Sequence, residues 1–438
     1  MRYDYFFELA KQKGIEECEL KIHESYSLSF SLFHSEMDSY EMNNGYSIIA
    51  RGLVNGKFGT ASCDVFNKEK AEFLVDEIIK NASVIEDEDP MFIYKGSSKY
   101  KKINPFNKEL LDLPAQKKVE KLFELEKLIK EGENISEVAG VSYSESKSVS
   151  TLLNSHGLKL NQKSNYYFIY GESVAKQGEQ VKTGFEFLFG NDFNDLDVKK
   201  LADAVIKSAT SQLGGEACES GNYKAVLDNN VVASLLNSYL SSADAEEVQK
   251  HTSLFEGKLN DKVASSKVTV EDRPLDKSLF GRGFDDEGVA TYNKPIIKNG
   301  VLKTYLYNLT TAAKDGVEST GNGFGGAKIG TSPVFVVMKP GKKSLEELFQ
   351  EVGNGVYITD LSGLHAGLDP QTGNFSLQST GFLIKDGKKD HPLDLITVSG
   401  NLMKLFKDIT TVGNDQKTFI SAVKAPSVIV KKLMVGGK

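Results

Sequence analysis

Ser25-Tyr26-Ser27-Leu28-Ser29-Phe30-Ser31-Leu32 alternates a small hydroxyl with a larger, mostly apolar side chain. A period of two sets the serines on one face of an extended strand and Tyr26, Leu28, Phe30 and Leu32 on the other. A single apolar face predicts a half-buried strand of an antiparallel sheet. The pattern returns at Ser142, Ser144, Ser146, Ser148 and Ser150, interleaved with Tyr143, Glu145, Lys147, Val149 and Thr151. This second run is more polar and reads as an edge strand or a solvated one.

The flanks of the two runs also match, which marks an internal duplication. After the first run come Tyr46–Ala50 and Lys57–Thr60, joined through Asn55-Gly56, a pair suited to a type I′ hairpin. A helix over roughly 68–82 follows, with Ala71, Leu74, Val75, Ile78, Ile79 and Ala82 in one stripe. After the second run come strands at Tyr166–Tyr170 and Phe185–Phe189. A helix over roughly 197–213 then presents Val198, Leu201, Ala202, Val205, Ile206, Ala209 and Leu213 on one side. Short helices near Tyr5–Lys13 and Pro114–Lys130 precede the copies, so each reads as α-β-β-β-β-α.

Glu86-Asp87-Glu88-Asp89-Pro90, Ser97-Ser98 and Pro105 mark a linker between the copies, and Gly214–Gly221 marks a second break. Three regions follow: an N-terminal α+β domain over 1–105, a central α+β domain over 106–218 and a β-rich domain over 219–438. In the last, strands are expected at Lys267–Val270, Val301–Tyr307, Val334–Met338 and Phe375–Lys385, with hairpin turns at Asn299-Gly300 and Asp386-Gly387. Ser344-Leu345-Glu346-Glu347 is a capping box opening a short helix. The expected class is α+β, a duplicated N-terminal half with a large, mostly antiparallel C-terminal domain.

Composition excludes several roles. The net charge of −7 argues against nucleic-acid binding, which needs clustered cations; Lys99-Tyr100-Lys101-Lys102 falls in the linker and reads as solvated. No apolar run approaches a membrane span, and the acid in Met1-Arg2-Tyr3-Asp4-Tyr5 is unlike a leader. Cys18, Cys63 and Cys218 are odd in number and far apart, as in a reducing cytoplasm.

From Val226-Leu227-Asp228 through Ser253-Leu254-Phe255-Glu256-Gly257 the chain resembles the TldD/PmbA (TldE) family of metallopeptidase-related proteins, known also for a link to DNA gyrase. The resemblance continues at Phe284–Val289, Asn299–Leu302, Thr320–Gly323, Leu364–Gly367, Gly373–Ser376 and Val412–Asp415. The closing Ala425-Pro426-Ser427-Val428 is most similar to the PmbA/TldE branch. The resemblance implies a TldD–TldE heterodimer that cleaves unfolded or leader-bearing peptides in proteolysis and peptide maturation. It also implies that TldD holds zinc through a His-Glu-x-x-x-His helix and a cysteine near the C-terminus, with the glutamate as base.

Here Asn237, Ser238 and Ser242 stand where those histidines and that glutamate would be, and no cysteine follows Cys218. Amides and hydroxyls are weak zinc ligands, and none serves as a base near neutral pH. The expectation is a noncatalytic subunit without metal or cofactor of its own, beside a TldD-like chain that carries zinc and a peptide in extended form. An isolated chain could pair with a second copy. Two other readings stay open: an autonomous peptidase with a displaced metal site using His251, His365 and Asp285 or Asp286, and a homo-oligomeric peptide-binding regulator.

Other candidates have a functional and a plain reading. Asp285-Asp286-Glu287 fits a cation or peptide amino group, or a solvated turn. His365 fits a cleft contact or a structural hydrogen bond, and His251 a peptide contact or a loop residue. His23 and His391 read as surface residues. Thr320-Gly321-Asn322-Gly323-Phe324-Gly325-Gly326 lacks the Lys-Ser/Thr of a phosphate loop, so Asn322 and Gly323 are assigned to a substrate-side loop where backbone packs closely. The candidate peptide-cleft set is therefore His251, Asp285, Asp286, Glu287, Asn322, Gly323 and His365.

Overall fold

A computed structural model describes residues 3–86 and 89–438. Met1 and Arg2 of the expected non-leader start, and Asp87 and Glu88 of the expected linker, lie outside the described residues. The first copy comprises α1 (Asp4–Gln12), β1 (Glu17–Phe33), β2 (Glu36–Val54), β3 (Lys57–Cys63) and α2 (Lys68–Val84). The second comprises α3 (Lys108–Asp112), α4 (Ala115–Lys130), β4 (Ile135–Asn154), β5 (Lys159–Gln177), β6 (Gln180–Gly190) and α5 (Val198–Thr210). The class is α+β as expected, but each copy has three strands rather than four. The strands are ribbons of up to 20 residues. Stretches such as 36–45 of β2 are solvated on both faces and so lack the alternation that would reveal them.

The copies join through β1 and β4, which pair antiparallel with Ser25 opposite Ser148, Ser27 opposite Ser146 and Ser29 opposite Ser144. One sheet results, in the order β3-β2-β1-β4-β5-β6. The serine-rich second run is therefore central, not an edge; it is polar because its serine face carries no helix. The other face is covered. Ala71, Leu74, Val75 and Ile78 of α2, Leu122, Leu125 and Ile129 of α4, and Leu201 and Val205 of α5 are buried beneath it. They meet Leu20, Ile22, Leu28, Phe30 and Leu32 of β1 and Tyr143 of β4. Each buried side chain of this size contributes about 1.5–3 kcal/mol. Asn67 and Asp197 cap α2 and α5 through their side-chain oxygens. Asn55 and Gly56 both have positive φ, 51° and 75°, as the hairpin requires.

The C-terminal half begins with β7 (Gly221–Leu227), α6 (Asn229–Leu240), α7 (Ala245–Gln249), β8 (Val270–Asp272), β9 (Lys294–Lys298) and β10 (Val301–Leu302). It continues with α8 (Leu309–Asp315), β11 (Gly323–Gly325), β12 (Ile329–Thr331), β13 (Val336–Met338), α9 (Leu345–Val352), β14 (Gly355–Ser362) and α10 (Leu364–Gly367). It ends with β15 (Asn374–Lys385), β16 (Lys388–Asn401), α11 (Leu402–Lys407), β17 (Ile409–Val412), β18 (Lys417–Thr418), β19 (Val423–Ala425) and β20 (Val428–Gly436). Two six-stranded sheets run β16-β15-β14-β7-β20-β17 and β10-β9-β8-β13-β19-β18. They are antiparallel except for β7–β14 and β13–β19. Helix α6 is packed within their shared core through Val231, Leu235, Leu236 and Tyr239.

The Ser344 capping box forms, with both reciprocal bonds present. The strand expected over Val301–Tyr307 shortens to two residues, because after Leu302 the chain leaves the sheet and Leu306 bridges to Asp244. That expected from Lys267 begins only at Val270, since a turn at Ser265 takes the Lys267 N–H. Among the described residues no helix is long and apolar enough to cross a membrane.

Register shows where the halves meet. Ile49, Lys21, Leu152 and Leu160 lie in one row across β2, β1, β4 and β5, on the helix-free face. Lys21 reaches Asp286, and Leu152 and Leu160 pack beneath Gly288. The linker is not a free tether. The Tyr100 hydroxyl donates to the Gly288 carbonyl at 2.7 Å, and the Ala290 N–H donates to Ser97 Oγ at 3.0 Å.

Candidate functional site

Helix α6 starts at Asp228, whose carboxylate caps it by accepting the Asn230 N–H and also accepts the Tyr357 hydroxyl. Its C-terminal half is anchored by Tyr239, which stacks on Phe406 at 4.6 Å and donates to the Val263 carbonyl at 2.6 Å. Asn237 is exposed. Ser238 is half-buried, and its hydroxyl donates to the Ser234 carbonyl at 3.3 Å. Ser242 is buried, just beyond the helix, and its carbonyl accepts the Ser253 hydroxyl at 2.6 Å. These three positions thus sit at the end of α6 and in the turn after it, with local hydrogen bonds at Ser238 and Ser242.

These residues do not fit zinc, which takes about three His, Cys, Asp or Glu ligands in a catalytic site. Among the described residues no group of three or more such side chains is placed to share a metal ion. The set a displaced site would use is not assembled. His251 is exposed, has φ 60° and lies 2.5 Å from Glu256 through Nδ1. His365 is exposed on the four-residue α10. Asp285 is buried elsewhere.

Asp285, Asp286, Glu287, Asn322 and Gly323 do come together, in a buried junction rather than on a solvated turn. Asp285 Oδ1 accepts the N–H groups of Glu287 and Val289 at 3.0 and 2.9 Å, and Oδ2 accepts that of Gly323 at 2.9 Å. Asp286 is held between Lys21 at 2.6 Å and Arg282 at 2.8 Å. Burial alone would raise its pKa, but these two cations hold it below the ordinary value. Glu287 Oε2 accepts the Leu309 N–H at 2.8 Å. A Cβ on Gly323 would fall 2.3 Å from that same oxygen, so a larger residue there would displace the Glu287 carboxyl.

Asn322 Nδ2 donates to Asp272 Oδ2 and to the Ser332 carbonyl, each at 2.9 Å. Beneath the junction, Arg51 Nε donates to the buried Glu19 at 2.7 Å. Asp272, Lys21, Arg51, Glu19 and Lys294 are not legible as partners, because the residues they meet lie tens to hundreds of positions away and no local spacing joins them. Alternation alone could have put Lys21 on the serine face.

Burial first, and then the charge of Asp285, push the Glu287 carboxyl well above the usual carboxylate range. Burial also raises Asp285, against the pull of its three N–H donors. A raised folded-state pKa favours the protonated form, so the stability it confers is present at low pH and lost as pH rises through that value. These two carboxyls are therefore expected to contribute a fall in stability from pH 6 to pH 9. In Glu287→Gln, which keeps an acceptor for Leu309, that fall should shrink by roughly 1 kcal/mol or more. Urea unfolding at the two pH values checks this, and an unchanged slope would remove Glu287 as its source.

Comparison with known proteins places this geometry. Three family models match in chain order: the PmbA/TldA metallopeptidase domain 1 over residues 18–82, the central domain over 108–213 and the C-terminal domain over 220–437. The Thermotoga maritima MSB8 protein TM0727, named for a proposed role as modulator of a DNA gyrase, is 31% identical with a TM-score of 0.93, covering 99% of both chains. TldE from Thermococcus kodakarensis is 27% identical with a TM-score of 0.91, covering 100% of both chains. Metalloprotease PmbA of Escherichia coli O157:H7 is 24% identical over 440 residues, 98% of this chain and 94% of that one.

Proposed function

Because the chain belongs to the PmbA/TldD metallopeptidase family, we propose that it is a TldE-like subunit that completes a zinc peptidase without holding the zinc. The observation that carries this reading is α6. It has its cap, its packing and its place in the core, but it and the turn after it present Asn237, Ser238 and Ser242 where metal ligands and a base would be needed. A metal-activated water requires both. The likeness to TldE of Thermococcus kodakarensis over the whole chain supports the same branch.

In this reading a TldD-like chain supplies the zinc helix, and this chain supplies a wall of the enclosure and part of the grip on an unfolded or leader-bearing peptide. Extended peptides suit such a role, because main-chain hydrogen bonds and a few side-chain pockets hold them without strict sequence demands. The test is purification from the native cell, alone and with any co-purifying TldD-like chain, followed by metal analysis and hydrolysis of an unfolded peptide. The expected result is a zinc-free isolated chain with no turnover, and a complex with about one zinc per pair that cleaves the peptide until a chelator is added. Zinc-dependent cleavage by the isolated chain would overturn the reading.

A further inference from the structure

The helix-free face of the N-terminal sheet is not uniform. The serine rows of β1 and β4 form a polar strip, with His23 of β1 3.4 Å from Ser150 of β4. Beside it, β5 and β6 raise a bank of aromatic rings on the same face. Phe168 opposes Phe189 and Tyr170 opposes Phe187 in the register. The rings form a continuous track: Phe185–Phe187 at 5.9 Å, Phe187–Phe189 at 6.2 Å, Phe189–Phe280 at 6.1 Å and Phe280–Phe335 at 5.6 Å between centroids. The track crosses from the N-terminal sheet to the C-terminal half without a break. Phe185 stays 46% exposed, at the solvent end of that track.

The other end of the track opens into a groove of about 510 Å³ between β6 and the β13–β19–β18 edge of the C-terminal sheet. Its lining joins the apolar Phe189, Phe280, Phe335 and Val337 to the charged Arg273, Asp276, Lys277, Lys339 and Lys424. Arg273 is already held by Asp276 and Glu271, and Lys339 by Glu271. Lys277 and Lys424 form no ion pair among the described residues. An aromatic lining with two ammonium groups outside any ion pair, and with its one carboxylate, Asp276, already held by Arg273, is complementary to an apolar chain that ends in a single carboxylate. In a protein of net charge −7 such a local excess of cations favours an anion there.

We infer that the track from Phe185 to Phe335 is a peptide subsite. It receives the apolar side chains of an extended peptide and seats the C-terminal carboxylate at Lys277 and Lys424. This rests on the reading of the chain as a peptide-binding subunit, but it concerns the isolated chain and needs neither partner nor zinc.

The chain contains no tryptophan, so a single Trp in a short Phe- and Leu-containing peptide reports binding by its own fluorescence. The free-acid peptide should bind the full chain, and its C-terminal amide about tenfold more weakly, the loss expected for one charge-assisted hydrogen bond. Lys424→Ala and Lys277→Ala should each weaken the acid but leave the amide unchanged. Phe187→Ser should weaken both peptides, with thermal unfolding measured alongside to show that the sheet persists.

Equal binding of acid and amide, or no binding of either, would overturn the assignment. So would self-association that Phe187→Ser abolishes and the peptide does not compete with, since the aromatic face would then belong to a second copy. Failure here leaves the metal analysis of the complex untouched, so it is distinguishable from failure of the noncatalytic reading.

Discussion

Asp272→Ala is expected to destabilise the protein by about 3–5 kcal/mol, the cost of breaking a buried ion pair by removing one partner. Asp272 is fully buried in β8 and serves four donors. Oδ1 accepts the N–H groups of Val334 and Phe335 at 2.9 and 3.1 Å, and Oδ2 accepts Asn322 Nδ2 at 2.9 Å and Lys294 Nζ at 3.0 Å. Alanine would leave two backbone donors, one amide and one ammonium group without that acceptor. Asp272→Asn would be little better, because the new amide hydrogens would face Lys294 and Asn322.

The alanine variant also has a distinct pH signature. Burial already lowers the Lys294 pKa, and Asp272 opposes that shift. Without Asp272, the folded state favours a neutral Lys294. A depressed lysine pKa costs stability while the unfolded lysine is charged, so the deficit against wild type should shrink as pH rises toward ~10. Pairing the change with Lys294→Met should recover part of the loss. Chemical denaturation of the four proteins across pH decides it. A loss that ignores both pH and Lys294→Met would mean that the backbone donors, not the charge pair, set the cost.

The contrast between what could and could not be read from sequence follows from burial and distance. Leu28, Phe30 and Leu32 alternate with serines because one side of β1 meets helices and the other does not. Stripes on α2 and α5 are legible for the same reason. Asn237, Ser238 and Ser242 could be singled out because the His-Glu-x-x-x-His motif of the resemblance has a fixed spacing. By contrast, Lys21 and Asp286 meet only after β1 and the C-terminal half are docked, and no local pattern announces a partner so far along the chain. Asp285-Asp286-Glu287 looks like a solvated turn because three adjacent carboxylates are costly to bury. The structure absorbs them with backbone N–H groups, two cations and raised carboxyl pKa values. Phe185-Glu186-Phe187-Leu188-Phe189 reads as a strand, but alternation cannot tell which face is covered; its phenylalanines turn out to lie on the helix-free one.

Lys118→Ala tests the covered face of the same sheet, and its expected loss is also about 3–5 kcal/mol. Lys118 of α4 and Glu145 of β4 are both nearly inaccessible and lie 2.7 Å apart. The Tyr143 hydroxyl donates to the same Glu145 oxygen at 2.9 Å. This pair explains how a glutamate can stand between Tyr143 and Val149 on a face otherwise packed against helices. In Lys118→Ala, Glu145 keeps only the tyrosine hydroxyl as a strong partner, and its charge is left in a medium that solvates it poorly.

Glu145→Gln in the Lys118→Met background should recover at least half of the Lys118→Ala loss, because no charge then remains to be paired. Urea unfolding of the variants checks this. A deficit that the paired change does not relieve would place the cost in lost packing of the lysine stem instead. Since β4 also carries the serine rows beside the aromatic track, loosening it from below should blunt peptide binding only in proportion to unfolding. That proportionality separates support of the sheet from direct contact with the ligand.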